Sequence, residues 1–199
     1  MKVIGLAGGI GSGKSTVSLL LAARGAVILD GDKIARELQE PGQGVFLAMV
    51  GRWGPDIVNP DGTLNRQAMA DIAFTDPDQL AALTAITRPA IEATLLERIE
   101  EREGTDDVVI LDVALLVQAH QYGEQATIVV DVPVDVAVER LVASRGMGEA
   151  DARARIAAQI TREERKAFAD FVIDNAGDEA DLAPQVDAAW AWIEGLPHR

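Results

Sequence analysis

The sequence contains no cysteine and only two histidines, His120 and His198. The missing thiols exclude disulfide bridges, cysteine nucleophiles, cysteine-ligated zinc and iron–sulfur clusters. Two histidines leave little for a histidine metal cluster. Any chemistry must therefore come from carboxylates, hydroxyls, lysine, arginine and backbone amides.

Positive charge is also scarce, because 18 basic residues stand against 32 acidic ones and give a formal net charge of -14. Such a chain is a poor match to a nucleic-acid duplex or to anionic lipid. No apolar run approaches the ~20 residues of a membrane span, and Met1 leads into a strand-like segment rather than a signal sequence. We expect a cytoplasmic protein with no nucleic-acid, membrane or obligate protein partner.

The basic residues that are present cluster in residues 140–166, which hold seven of the 18 and only four acidic residues. The seven are Arg140, Arg145, Arg153, Arg155, Arg162, Arg165 and Lys166. This local excess suggests that the segment handles a small anion, although a helix with a solvated outer face explains the charges equally well. A single helix over 150–166 would place on one face Arg155, Gln159, Arg162 and Lys166.

Five short β-branched segments indicate strands, at residues 2–7, 26–30, 107–113, 126–132 and 171–174. They are continuously apolar rather than alternating, as are parallel strands that helices cover on both faces. Helical stretches separate them, at residues 14–24, 78–103, 134–144 and 180–194, and the second of these should break or bend near Pro89. The alternation predicts a doubly wound, three-layer α/β fold with a five-stranded parallel sheet.

The spacing of the strands predicts two insertions. Roughly 76 residues separate the second strand from the third, far more than one crossover needs, so we expect an inserted helical lobe over residues 32–106. The arginine-rich residues 140–166 form a second, smaller insertion, which we expect to act as a lid. The core then comprises residues 1–31, 107–139 and 167–199.

The strongest motif follows the first strand, where residues 8–15 (GGIGSGKS) fit the phosphate-binding pattern G-x-x-x-x-G-K-[ST] at the start of a helix. In this loop the glycines let successive N–H groups turn toward phosphate oxygens. Lys14 adds charge for the β- and γ-phosphates, Ser15 offers a hydroxyl to Mg²⁺, and Thr16 can reach an α-phosphate. The predicted nucleotide contacts are Gly8, Gly9, Gly11, Ser12, Gly13, Lys14, Ser15 and Thr16.

Three aspartates follow strands near this loop. Asp30 and Asp32 come after the second strand and Asp112 ends the third, so all three should gather at the carboxyl edge of the sheet, where ligands bind in such folds. Asp112 fits a carboxylate that orders Mg²⁺. Asp30 or Asp32 could accept the proton of an attacking hydroxyl, although Asp32 could also simply cap the next helix.

The rest of the sequence favours a small-molecule kinase among the nucleotide enzymes. A GTPase needs a base-reading N-K-x-D motif, which the sequence does not contain. The chain is too short for a typical motor ATPase, and it carries its own arginine-rich insertion. In small kinases such a lid supplies guanidinium groups to the transferring phosphoryl group and keeps water out.

Together these residues resemble the dephospho-coenzyme A kinases, a family similar to the nucleoside monophosphate kinases. The matching segments are LAGGIGSGKST (6–16), ILDGDKIAREL (28–38), EPG (40–42), DGTLNR (61–66), RPAIE (88–92), the Leu115-Leu116 segment, IAAQITREER (156–165) and ADFVIDNAG (169–177). The resemblance implies a P-loop fold with a helical acceptor lobe and a helical lid. It also implies ATP- and Mg²⁺-dependent phosphorylation of the ribose 3′-hydroxyl of dephospho-CoA.

The resemblance assigns roles to particular residues. Asp32 would be the general base on the 3′-hydroxyl, Asp30 would lie near Mg²⁺ with Ser15 and Asp112, and Lys14 would act in catalysis. Arg140 and Arg162 would face ATP, which Asn175 and Gly177 would also contact. The acceptor would be bound by Asp32, Arg36, Pro41, Gly42, Arg66 and Leu115.

Two alternatives stay open at the level of sequence. Residues 113–118 (VALLVQ) depart from the family's V-P-L-L-[FY]-E, so a related kinase could act on another small hydroxyl acceptor. A nucleotide-binding regulator without turnover is the other alternative. It is disfavoured because the chain retains Lys14, Ser15, Asp32, Asp112 and Arg162.

Overall fold

The structure, a computed structural model, describes residues 1–113 and 122–199 and contains two compact units. The first comprises Met1–Asp30 and Arg102–Arg199, and the second comprises Gly31–Glu101. Within the described residues, no helix has both the length and the apolarity needed to cross a bilayer.

The first unit is built on a five-stranded parallel sheet, which confirms the predicted α/β fold. Its strands are β1 (Lys2–Gly8), β2 (Val27–Asp30), β3 (Val108–Asp112), β4 (Ala126–Asp131) and β5 (Phe171–Asp174). They lie in the order β2-β3-β1-β4-β5. Every residue of β3 and β4 is buried, which explains why these strands are continuously apolar in sequence instead of alternating.

Helices account for most of the remaining described chain. They are α1 (Lys14–Ala22), α2 (Gly31–Leu38), α3 (Gly44–Trp53), α4 (Arg66–Thr75), α5 (Pro77–Glu100), α6 (Val134–Arg145), α7 (Glu149–Ala157), α8 (Arg162–Ala167) and α9 (Glu179–Gly195). Helices α1 and α9 pack together against the sheet of the first unit. Their buried contacts to that core include Val17, Leu21, Val186 and Ile193.

The second unit consists of α2 to α5 and a 3₁₀ turn at Pro55–Ile57. Its separate core contains Phe46, Met49, Ile57 and Met69. Helix α5 packs against α2, α3 and α4 and continues through Pro89 as one helix. Of the two outcomes expected at this proline, a break or a bend, the structure excludes the break. One proline removes a single backbone donor, and packing along a 24-residue helix offsets that loss.

The prediction of one helix over residues 150–166 is wrong. Helix α7 ends at Ala157, and α8 begins after Thr161. The Thr161 hydroxyl accepts a hydrogen bond from the Glu164 N–H, and the Glu164 carboxylate accepts one from the Thr161 N–H. This capping box starts a new helix, so Gln159 lies between two helices instead of sharing a face with Arg162.

Lys2 stabilises the C-terminal end of α9. Its side chain is buried, and its ammonium group donates to the carbonyls of Ile193 at 3.0 Å and Glu194 at 2.6 Å. The last carbonyls of a helix have no partner from the i→i+4 pattern and carry partial negative charge. The Lys2 ammonium therefore supplies both hydrogen-bond donors and a favourable positive charge at this end of α9.

Replacing Lys2 by methionine should lower the free energy of unfolding by about 1.5 to 3 kcal/mol, because methionine fills similar volume but leaves both carbonyls without a charged donor. Urea denaturation followed by circular dichroism measures the change. Arg145→Met is the matched control, since Arg145 is an exposed basic residue in the last turn of α6. Equal losses in the two variants would contradict the capping role.

Candidate active site

The phosphate loop joins β1 to α1 in the first unit. Gly11 and Gly13 have φ angles of 78° and 84°, a region that residues with a side chain rarely adopt. The Ser12 N–H donates to the Gly9 carbonyl at 3.0 Å, which closes the turn. No side chain caps the start of α1 at Gly13, an arrangement that suits a helix N-terminus at which an anion binds.

Asn175 supports the backbone of the phosphate loop by a hydrogen bond. Its side chain is buried and its amide donates to the Ser12 carbonyl at 2.7 Å. A Cβ atom on Gly13 would collide with the same amide nitrogen. Glycine is thus required at position 13 both for its backbone angle and for the approach of Asn175. The structure places Asn175, a predicted nucleotide contact, where it supports the loop backbone.

A lysine and two carboxylates meet at the carboxyl edge of the sheet. The Lys14 ammonium forms an ion pair with Asp112, whose side chain is largely buried at the end of β3. Asp30 ends β2 and is paired in register with Asp112 on the neighbouring strand. Two of the three aspartates predicted to gather here are therefore adjacent, directly beside the loop lysine.

This donor set suits magnesium. Mg²⁺ is usually held by one or two carboxylates together with waters and substrate phosphates, not by a cage of protein ligands. The described residues contain no cluster of three or more histidine, aspartate or glutamate side chains that could hold a metal. Asp30, Asp112 and the exposed Ser15 in the first turn of α1 fit an ion that also needs phosphate oxygens.

Arg140 lies on the other flank of the loop. One of its amino groups donates to the Gly177 carbonyl at 2.9 Å. The other lies 3.9 Å from the position that a Cβ atom on Gly13 would occupy. The structure thus brings together three residues predicted to contact the nucleotide: Arg140, Gly177 and Gly13.

The segment between α7 and α8 borders the loop as well. The Ile10 N–H donates to the Gln159 side-chain oxygen at 3.0 Å. The Arg165 guanidinium lies against Gly9, where a Cβ atom would come within 2.9 Å of it. A cavity of about 430 Å³ lies here, lined among others by Gly9, Ile10, Gln159, Arg162 and Arg165.

Arg162 is paired with a residue that sequence reasoning missed, Asp131 at the end of β4. Its Nε and Nη2 atoms donate to the two carboxylate oxygens at 2.7 and 2.6 Å. These hydrogen bonds hold the pKa of the Asp131 carboxyl below its ordinary value, although burial opposes the shift. They also raise the pKa of Arg162. Both groups are therefore charged at neutral pH, and the pair is fixed in orientation.

Five of the remaining predicted site residues lie in the second unit. Asp32 is exposed in the first turn of α2, and Arg36 is exposed in its last turn. Pro41 and Gly42 lie in an exposed turn after that helix. Arg66 begins α4 and donates to the Gln39 side chain. Leu115, the sixth residue predicted to contact the acceptor, is outside the described residues.

Comparison with known proteins agrees with the geometry of the first unit. The sequence profile of the dephospho-CoA kinase family matches residues 2–181. The chain belongs to the dephospho-CoA kinase family. The dephospho-CoA kinase of Thermobifida fusca is 45% identical over 202 aligned residues, which span 100% of this chain and 99% of that protein.

Solved structures show the same fold for this family member. A crystal structure from Thermus thermophilus superposes with a TM-score of 0.78 at 32% identity and covers 98% of both chains. Dephospho-CoA kinase from Campylobacter jejuni superposes with a TM-score of 0.74 at 22% identity, covering 97% of this chain and 98% of that one. The second likeness bears on fold alone. The predicted fold is therefore confirmed along nearly the whole chain.

Proposed function

We propose that this protein is an ATP-dependent kinase that phosphorylates the ribose 3′-hydroxyl of dephospho-CoA, producing CoA and ADP. The observation that carries the proposal is the family match over residues 2–181, which includes an intact phosphate loop. In the reaction the 3′-oxygen forms a bond to the γ-phosphorus while the bond to the β,γ-bridging oxygen breaks. The hydroxyl proton passes to a base, which we assign to Asp32.

The phosphate loop binds the donor. Loop amides at Gly11, Gly13, Lys14 and Ser15 take the phosphate oxygens, and Lys14 balances charge on the β- and γ-phosphates. The Ser12 and Thr16 N–H groups already donate to the Gly9 and Gly13 carbonyls, so Thr16 contributes its hydroxyl. Arg140 and Arg162 face ATP from the α6 and α8 sides and spread the charge of the transferring group. Gly8, Gly9, Ser12 and Gly177 complete the nucleotide site, and Asn175 acts there through the loop backbone that it supports.

Magnesium and the acceptor are the remaining parts of the proposal. Ser15, Asp30 and Asp112 would hold Mg²⁺, which neutralises phosphate charge when bound. The second unit would bind dephospho-CoA. Its assigned contacts are Asp32, Arg36, Pro41, Gly42, Arg66 and, outside the described residues, Leu115. The lid remains the proposed role of residues 140–166.

The proposal predicts strict dependence of ADP release on one acceptor. Purified protein with Mg-ATP should release ADP rapidly with dephospho-CoA and at no more than background rate with adenosine, AMP or simple sugars. Coupled enzyme assays measure ADP, and mass spectrometry should show the phosphate on the ribose 3′-oxygen of the product.

A matched control tests whether the 3′-hydroxyl is the acceptor. A dephospho-CoA analogue lacking only that hydroxyl should bind but yield no product. Release of ADP with another acceptor in place of dephospho-CoA would contradict the proposed substrate. Absence of release with every acceptor would contradict the proposed activity.

A further inference from the structure

Asp131 is a buried carboxylate surrounded by cations. Its side chain is 5% exposed, and it ends β4, the strand adjacent to β1. Arg162 makes a bidentate pair with it, and the Lys166 ammonium lies 3.6 Å from the same carboxylate. Desolvating a carboxylate costs several kcal/mol, and the paired cations offset that cost. Because a buried ion pair is often no more stabilising than apolar residues of the same volume, the orientation of the paired arginine bears on the role of Asp131.

The pair orients Arg162 without using all of its donors. Nε and Nη2 are bound to Asp131, and Nη1 has no hydrogen-bond partner among the described residues. The side chain is 35% exposed and lines the cavity beside the loop. A guanidinium is a rigid planar fork, so fixing two nitrogens also fixes the direction of the third.

Basic side chains outnumber acidic ones along the lining of this cavity. Three arginines line it, Arg153, Arg162 and Arg165, together with one acidic residue, Glu163. Arg153 forms ion pairs with two exposed carboxylates, those of Glu149 and Asp135. Ile10 of the phosphate loop lines the same cavity and binds Gln159. Arg162 is therefore held next to residues of the phosphate loop.

We propose that Asp131 is a positioning residue, which holds the Arg162 guanidinium beside the phosphate loop so that Nη1 can donate to the transferring phosphoryl group. The inference rests on the proposed function and deepens it, because it assigns a fixed orientation to one lid arginine. Asp131 touches neither substrate, and it acts only through Arg162. Preorganised hydrogen-bond donors stabilise mainly the transition state, so loss of the Asp131 carboxylate should lower kcat.

Asp131→Asn tests the role, because asparagine keeps the shape but loses the charge and one acceptor oxygen. We expect kcat with dephospho-CoA to fall by about 10- to 100-fold, as misplacement of a catalytic group by an ångström does, with KM for ATP changed less than about threefold. In an Arg162→Ala background the same substitution should lower kcat less than about twofold, since the positioned group is already gone.

Asp135→Asn is the matched control, because Asp135 is an exposed aspartate that pairs with an arginine of the same segment at 3.1 Å. Its kcat should stay within about twofold of wild type. Thermal unfolding of every variant separates lost stability from lost positioning. An unchanged kcat in Asp131→Asn, or equal losses with and without Arg162, would overturn the inference.

A second readout needs no acceptor. Aluminium fluoride with Mg-ADP imitates the planar transferring group, so it should tighten ADP binding in wild type and lose that gain in Asp131→Asn and Arg162→Ala. Calorimetry measures both affinities. If the wild-type protein binds ADP more tightly with aluminium fluoride but does not phosphorylate dephospho-CoA, the proposed substrate is contradicted and the positioning role is not. Retention of the full gain in Asp131→Asn contradicts the positioning role alone.

Discussion

Replacing Lys14 by methionine is expected to lower kcat/KM for ATP by about 10²- to 10³-fold, because it removes a preorganised positive charge from the developing charge on the transferring phosphoryl group. The structure already directs this ammonium to the strand edge, where it pairs with Asp112. Methionine keeps most of the side-chain volume, so the loss is one of charge. Steady-state kinetics with Mg-ATP and calorimetric ATP binding measure the effect.

The control for Lys14 is Arg24→Met, which removes a positive charge two residues after α1 ends. Arg24 pairs with Asp187 of α9 and donates to the Leu20 carbonyl. Its loss should leave kcat/KM within about twofold of wild type, since this pair lies beyond the end of α1 opposite the phosphate loop and its aspartate is exposed. If Lys14→Met kept more than a tenth of wild-type activity, the loop lysine would not have the role assigned to it.

Asp32→Asn should lower kcat by about 10²- to 10⁴-fold while ATP affinity stays within about threefold, as expected for loss of a general base. Phosphoryl transfer has a loose transition state with little proton to remove early, so positioning and charge neutralisation supply the rest of the rate enhancement. Asparagine preserves the size and hydrogen-bonding reach of the side chain. Rapid-quench kinetics and calorimetry with ATP separate the two quantities.

The alternative for Asp32 is that it stabilises the first turn of α2, and Asp78 provides the comparison. Asp78 is an exposed aspartate in the first turn of α5, in the same unit. Asp78→Asn should alter thermal unfolding slightly and leave kcat unchanged. Similar small effects in both variants would assign the Asp32 carboxylate to the helix instead of to the chemistry.

Local pattern was sufficient to predict the sheet, and the reason is physical. All five strands begin and end within one residue of their predicted ends, because buried parallel strands require uninterrupted apolar runs. The phosphate loop at residues 8–15 could also be predicted from the sequence. The pattern G-x-x-x-x-G-K-[ST] between a strand and a helix is specific to a phosphate-binding loop. Both features are encoded within short stretches of chain.

The errors concern features that depend on distant partners or on competing local signals. Charge spacing favoured one helix through Gln159, but the Thr161 and Glu164 capping box overrode it, and that signal was present in the sequence. Asp131 was missed although, like Asp112, it is an acidic residue at the end of a buried strand. Only the fold reveals that Arg162 pairs with it.

The contact of Gly9 with Arg165 has a consequence for protein engineering. Position 9 is one of the variable positions of the phosphate-loop pattern, so nucleotide chemistry alone would permit a side chain there. In this chain even one methyl group would displace the guanidinium that lies over the loop. Mutational libraries should therefore vary residues 9 and 165 jointly, since the tolerated set at one depends on the size of the other.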